Sequence, residues 1–96
     1  MHNYVYFRYM ISKEELREIE LRCEKAQNGP WKAYIEGRDH ESGPDFIMTG
    51  TGNNRQEDIE MVGATVADCD FIANAKQDIP KLINEIRELK KQIEKY

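Results

Sequence analysis

The sequence is poor in cysteine and proline and has no long apolar run. Two cysteines, Cys23 and Cys69, are too few for a disulfide framework, and their spacing fits no zinc-binding pattern. Both fall in segments with helical patterns, so we expect two buried free thiols. No apolar stretch is long enough to cross a bilayer, and the first residues lack a signal-peptide pattern. We therefore expect a cytoplasmic protein without membrane contact.

Positive charge is also scarce. The 96 residues include 14 Lys and Arg against 18 Asp and Glu, a formal net charge of −4. Nucleic-acid binding needs clustered Lys and Arg that contact phosphates, so this balance argues against general DNA or RNA binding. Residues 36–60 hold seven acids and two arginines, whereas residues 81–96 hold five basic and three acidic residues. These two segments are electrically complementary, within one chain or between chains.

The length is enough for one domain, and 40% hydrophobic with 33% charged residues is typical of a folded one. Residues 1–9 differ from the rest because they concentrate aromatic side chains. We interpret them as either a disordered arm or an edge strand. Residues 10–96 are then a single α+β domain.

An N-terminal helix is predicted to begin at Ser12 and to run to about Asn28. Ser12-Lys13-Glu14-Glu15 is a capping box, in which the hydroxyl of the first residue caps the first turn. Asn28-Gly29-Pro30 is a strong stop. One apolar stripe with steps of three and four lies between these signals: Leu16, Ile19, Cys23 and Ala26.

The middle of the chain has the period of β-strands. Trp31, Ala33 and Ile35 alternate with polar or amphipathic residues, which predicts a half-buried strand. Further strands are predicted at residues 45–49 and 59–62, after loops rich in Gly, Pro and Asn. Three successive short strands predict an antiparallel meander.

A C-terminal helical region begins with a second capping box, Thr65-Val66-Ala67-Asp68. Pro80 leaves two alternatives open, a single helix or a helix pair in which Asp78 caps the second member. Apolar residues follow a heptad stripe from 72 to 96 with alternating steps of three and four, and Ile83 widens it. Such a stripe predicts a homo-oligomer. Its expected interface residues are Ile79, Leu82, Ile86, Leu89 and Ile93.

Three segments resemble a group of small phage and prophage proteins, the ead-like proteins. Gly29-Pro30-Trp31 resembles their GPW motif, and residues 67–75 and 78–83 resemble their D-x-FIA-x-A and D-[IV]-P-x-L motifs. The resemblance covers about residues 12–90. It implies a small accessory protein of a mobile element inside a bacterial host cell. Every matching residue is of a structural type, so the resemblance supplies no catalytic residue.

Candidate ligand-binding residues lie in and beside the loops of the predicted sheet. Guanidinium groups pair well with phosphate oxygens, exposed loop amides and hydroxyls bind anions, and rings stack on bases. The lone Gly50-Thr51-Gly52 precedes a strand and fits neither a P-loop nor a dinucleotide fingerprint. The alternative interpretation is a hairpin loop with ion-paired arginines. The candidates are Arg38, His40, Arg55, Tyr34, Thr51 and Asn53.

His40 is also considered as a metal ligand or as an acid–base group with Glu41 or Asp45. Neighbouring ligands on one loop rarely converge on a single ion, and no nucleophile motif accompanies the histidine. We therefore predict no metal site, no cofactor and no catalytic residue.

Three functions fit these observations. The first is a non-catalytic, oligomeric phage protein that binds and sequesters a host nucleotide immune signal. The second is a protein-interaction module that inhibits a host or anti-phage defence protein, through its acidic middle or its C-terminal helix. The third is a nucleotide-cleaving enzyme that uses His40. The expected partner is thus a small nucleotide-like ligand or a host protein.

Overall fold

The computed structural model of the protein describes residues 10–94. The helices and strands are α1 (Lys13–Lys25), β1 (Trp31–Tyr34), β2 (Phe46–Thr49), β3 (Ile59–Glu60) and α2 (Val66–Glu94), with a 3-10 turn at Gly52–Asn54. This confirms the predicted α+β class, with an N-terminal helix, a three-stranded antiparallel sheet and a C-terminal helix. The expected arm or edge strand at residues 1–9 lies outside the described residues, as does Tyr96.

Helix α1 begins where its capping residue predicts. The Ser12 hydroxyl accepts a 3.0 Å hydrogen bond from the Glu15 backbone N–H. The helix ends at Lys25, three residues before the predicted end. The backbone of Ala26 is already extended, with ψ of 164°, although its N–H still bonds the carbonyl of Arg22.

The sheet has the order β1-β2-β3 with antiparallel neighbours. Trp31 pairs with Thr49 and Tyr34 pairs with Phe46, so the loop from β1 to β2 and the loop from β2 to β3 lie at opposite ends of the strands. Strand β3 has only two residues, shorter than predicted. The chain turns at Gly63, whose φ of +83° is a conformation that favours glycine.

One face of the sheet packs against the first half of α2. The buried core consists of small and medium side chains from these elements and from the residue that directly follows β1: Ala33, Ile35, Ile47, Cys69 and Ala73. The Cys69 thiol is fully buried, and burial raises its pKa because the thiolate is poorly solvated there. Cys23 is only half-buried, so the expectation of two buried thiols is correct for Cys69 alone.

Helix α2 runs without interruption through Pro80, so the single-helix alternative is the observed one. Its capping box is reciprocal: Thr65 Oγ1 accepts from the Asp68 N–H, and Asp68 Oδ2 accepts from the Thr65 N–H, both at 3.0 Å. Proline cannot donate the usual backbone bond. The helix continues because both of its halves are held by packing, through Ala73 on the sheet and through buried Ile83 beside α1. Within residues 10–94 no helix combines the length and apolarity needed to span a membrane.

Helix α1 lies antiparallel along α2, over residues 76–90. Near its start, the carbonyl of Ile11 accepts a hydrogen bond from Lys90, and near its end the carbonyl of Cys23 accepts one of 2.5 Å from Lys76. The 29-residue helix α2 gives the described chain an elongated shape with extents of 60 × 29 × 18 Å.

Candidate functional site

Arg38 lies in the loop after β1 and is fully engaged by carboxylates. Its Nη1 and Nη2 atoms donate to the two oxygens of Asp70 at 2.9 and 3.0 Å, and its Nε donates to Asp39 at 2.9 Å. Hydrogen bonds from the guanidinium hold the pKa of Asp70 below its usual range, and the carboxylates raise the pKa of Arg38. A backbone hydrogen bond from Ile35, together with the guanidinium, also holds the pKa of Asp39 low. Both carboxylates therefore stay ionised at neutral pH and neutralise the arginine. A phosphate would have to displace them.

Arg55 forms a comparable but smaller contact. Its Nη2 donates to Asp58 Oδ1 at 2.8 Å, and both side chains are about equally exposed, at 43%. An exposed pair of this kind contributes little to stability and opens readily. Arg55 is thus the more available of the two candidate cations.

Tyr34 and His40 gather around Phe46 at one end of the sheet. The Tyr34 and Phe46 rings stack with centroids 5.3 Å apart and planes at 6°, and the His40 ring lies 5.5 Å from Phe46. The Nδ1 atom of His40 lies 3.0 Å from the Ser42 carbonyl. Its Nε2 atom is buried and has no hydrogen-bond partner among the described residues. These rings pack on each other rather than forming an open stacking platform.

Thr51 and Asn53 lie at the other end of the sheet, beside the 3-10 turn, with exposed side chains. Gln56 closes this loop, since its N–H donates to the Thr49 carbonyl at 3.0 Å. Four-residue antiparallel strands separate this loop from the Arg38 loop by roughly 10 Å. Within one chain, therefore, the six candidates form two groups: Tyr34, Arg38 and His40 at one end, and Thr51, Asn53 and Arg55 at the other.

No group of three His, Cys, Asp or Glu side chains in the described part of the chain is placed to hold a metal ion. His40 contacts the Ser42 carbonyl, and Asp45 accepts a hydrogen bond from the Glu36 backbone at 2.9 Å. These two side chains thus have structural contacts within the loop.

Helix α2 presents a second surface, which we call the α2 seam. Its residues share one face of the helix and are apolar: Ile72, Ala75, Ile79, Leu82, Ile86, Leu89 and Ile93. Leu82 is 60% exposed, Leu89 49% and Ile93 52%. The buried residues of the same helix lie on another face: Cys69, Ala73 and Ile83. The other two predicted interface residues, Ile79 and Ile86, are partly buried. The five residues thus share one face of α2, and three of them are about half exposed or more among residues 10–94.

An apolar groove of about 400 Å³ continues the seam toward the sheet. It lies between α1 and α2, where Ile19 and Ala26 face Ala75 and Ile79. Phe71 stands at its edge with 75% of its surface exposed. Phe71 is not among the predicted interface residues because it lies one residue before the heptad stripe. An aromatic residue beside such a stripe is the signal that marks a wider apolar surface.

The fold and the seam define the class: a small α+β domain whose main exposed apolar surface, among residues 10–94, is one face of a long helix. Comparison with protein-family models, with curated proteins and with solved structures finds no match to this chain. The resemblance to ead-like phage proteins stays a prediction.

Proposed function

We propose that this chain is a non-catalytic protein-interaction module that binds an apolar helical surface through the α2 seam. The observation that carries the proposal is the exposure of Leu82, Leu89 and Ile93, each about half or more, on one helical face. Burying such a side chain is worth roughly 1.5–3 kcal/mol. Contiguous exposed apolar patches of this kind mark interaction sites in folded proteins.

The shape of this surface suits a helix. Side chains at steps of three and four present a straight apolar ridge, which a partner helix covers with anchors at the same spacing. The groove beside Phe71 and Trp31 extends the contact toward the sheet. The flanking residues Glu85 and Lys81 are exposed and charged, as the rim of an interface is.

The nucleotide hypothesis has weaker support from the geometry. Arg38 is held by Asp70 and Asp39, and Arg55 by Asp58. The candidate residues also lie at two ends of the sheet, so one chain does not assemble them around a single ligand. Sequestration of a nucleotide, cleavage of a nucleotide and a role in phage infection stay predictions.

The proposal is tested by a photo-crosslinking amino acid introduced at position 89 or, as a control, at position 91. Leu89 lies on the seam, whereas the Lys91 side chain is 71% exposed on another face of α2. In cells that produce the protein, irradiation is expected to give protein adducts from position 89 and few from position 91. Equal yields from both positions, or no adduct from position 89, would contradict the proposal.

A further inference from the structure

We infer that the partner of the α2 seam is a second copy of this chain, and that the two α2 helices lie parallel as a two-stranded coiled coil. This inference rests on the proposed function and names the partner of that surface. It follows from the side chains of the seam, from the charges beside it and from the position of α1.

The seam residues fall into two sets of heptad positions, and each set has its own type of side chain. The first set, at 72, 79, 86 and 93, is isoleucine throughout, and the second, at 75, 82 and 89, is Ala, Leu and Leu. Isoleucine in the first set with leucine in the second favours parallel two-stranded coiled coils. The pattern spans about three heptads of one continuous helix, the length at which a coiled-coil interpretation becomes sound.

Charges beside the seam fit a parallel pair. In that arrangement, a residue just before an isoleucine position faces the residue five places later in the other chain. Glu85 then faces Lys90 of the second copy, and symmetry forms this contact twice. Glu85 is exposed and forms no ion pair with residues 10–94. Lys90 donates one hydrogen bond to Ile11 and keeps two further N–H groups.

The antiparallel arrangement that pairs Ile79 with Leu89 brings like charges together. Glu85 then faces Glu85 of the second copy, and Lys76 faces Lys90. Repulsion between close like charges disfavours this alternative. The charge pattern therefore favours the parallel orientation over this antiparallel register.

The rest of the chain leaves room for this partner. Helix α1 lies along the flank of α2 that carries Lys76, Ile83 and Lys90. It reaches the seam only at the sheet end, where Ile19 and Ala26 face Ala75 and Ile79. Leu82, Leu89 and Ile93 keep about half or more of their surface exposed. Pro80 also faces the α1 side, in a small cleft with Glu20 and Cys23. A two-fold symmetric partner can approach Leu82, Leu89 and Ile93 without displacing α1 or meeting the proline ring.

The first experiment is sedimentation velocity of the full chain at about 1–100 µM, a range that reveals concentration-dependent association. The expected species has twice the chain mass of 11.3 kDa. Leu89→Asp is expected to weaken the dimer at least about 100-fold, because the apolar contact is lost in both copies. Asn84→Asp adds the same charge on an exposed part of α2 outside the seam and should leave the dimer intact. Circular dichroism verifies that both variants keep their helices.

The second experiment fixes the orientation. In a parallel pair, Leu89 lies opposite its own copy within disulfide reach, so Leu89→Cys should crosslink under mild oxidation. Asn84→Cys should not, and the unmodified chain with Cys23 and Cys69 gives the background. Glu85→Lys should weaken the dimer several-fold, and Glu85→Lys/Lys90→Glu should recover part of that loss.

The outcomes separate this inference from the proposed function. A chain that is monomeric at about 100 µM overturns the inference, but the proposed function survives if position 89 crosslinks to another protein. A dimer that Leu89→Asp leaves unchanged overturns the inference as well. A seam-dependent dimer that Glu85→Lys strengthens, and that Leu89→Cys does not crosslink, overturns the parallel orientation.

Discussion

Arg38 and Asp70 form a two-pronged ion pair that ties the loop after β1 to the first turns of α2. The two N–O distances are 2.9 and 3.0 Å, although the residues are 32 positions apart in sequence. Both side chains are more than 40% exposed, so solvent screens the pair and its share of the stability is small. Its main effect is to neutralise a cation that would otherwise attract anions.

This pair gives a direct test of the nucleotide hypothesis. Asp70→Asn keeps the shape of the side chain but removes its charge. The Nη1 and Nη2 atoms of Arg38 then lose their charged partner, and only Asp39 still pairs with the guanidinium, through Nε. Stability should change little, and affinity for AMP, measured by calorimetry, should rise if this loop binds nucleotides. Asp58→Asn releases Arg55 at the other end of the sheet and reports on that loop separately. If neither variant nor the unmodified chain binds AMP or inorganic phosphate, these loops are not an anion site.

The Gln77 side chain joins helix α2 to strand β1, so we expect its substitution to lower the stability of the fold. Its Oε1 accepts from the Trp31 N–H at 2.8 Å, and its Nε2 donates to the Trp31 carbonyl at 3.1 Å. Gln77→Glu keeps the acceptor but turns the donor into a second oxygen that faces the carbonyl. Since both contacts are part-buried, we expect a loss of about 1–3 kcal/mol in the free energy of unfolding, measured in urea.

The matched control is Gln92→Glu, an exposed position on the same helix with no side-chain hydrogen bond to residues 10–94. It makes the same chemical change and should cost under about 0.5 kcal/mol. Equal losses in the two variants would mean that the Trp31 contact does not stabilise the sheet.

These contacts show how far the sequence predicts the structure. The caps at Ser12 and Thr65 were predictable because each bond joins residues three apart. Strand β1 was predictable from the alternation of Trp31, Ala33 and Ile35 with polar or amphipathic residues. The contacts of Arg38 with Asp70 and of Gln77 with Trp31 were not predictable, because they depend on where α2 crosses the sheet.

The separation of the six candidate ligand-binding residues into two groups at opposite ends of the sheet was predictable but was missed. Successive loops of an antiparallel meander lie at opposite ends of its strands. Arg38 and Thr51 follow successive strands, so the predicted topology already separated them. The exposure of Leu82 and Leu89 followed from the stripe being wider than one buried face, and the structure adds that α1 packs beside this stripe.

Adding a single methyl group at Gly50 is expected to lower the free energy of unfolding strongly. Its φ is +72°, and a Cβ atom there would lie 2.1 Å from the carbonyl oxygen of Asn54. Backbone, not a flexible side chain, is the obstacle, so Gly50→Ala must distort the loop that ends β2. We expect a loss above about 2 kcal/mol in the free energy of unfolding.

Gly52→Ala is the control, because Gly52 also has positive φ, +54°, but has nothing within 4 Å of the added methyl group. It should cost about 1 kcal/mol for the strained backbone alone. Equal costs for the two variants in urea unfolding would show that the loop near Asn54 relaxes freely.

Glu20 links the two helices through ion pairs, and we expect its carboxylate to make the stability of the fold depend on pH. It accepts hydrogen bonds from Arg87 at 2.6 and 3.0 Å and one from Arg17 at 2.5 Å. These bonds lower the pKa of Glu20 from its ordinary 4.5 to about 2, with Arg87 the larger cause. Since the folded pKa is below the unfolded one, the carboxylate stabilises the fold fully above about pH 5. This contribution is lost as pH falls from about 4.5 toward 2.

Glu20→Gln should therefore be less stable than the unmodified chain at about pH 6, and the gap between the two should close progressively as the pH falls toward about 2. Urea unfolding at one protein concentration and several pH values measures this gap, because association would otherwise change the midpoint. Glu18→Gln, an exposed change on α1 without an ion pair to residues 10–94, should show no such narrowing. A gap for Glu20→Gln that stays constant or widens in acid would mean that Arg87 and Arg17 do not hold this carboxylate ionised in solution.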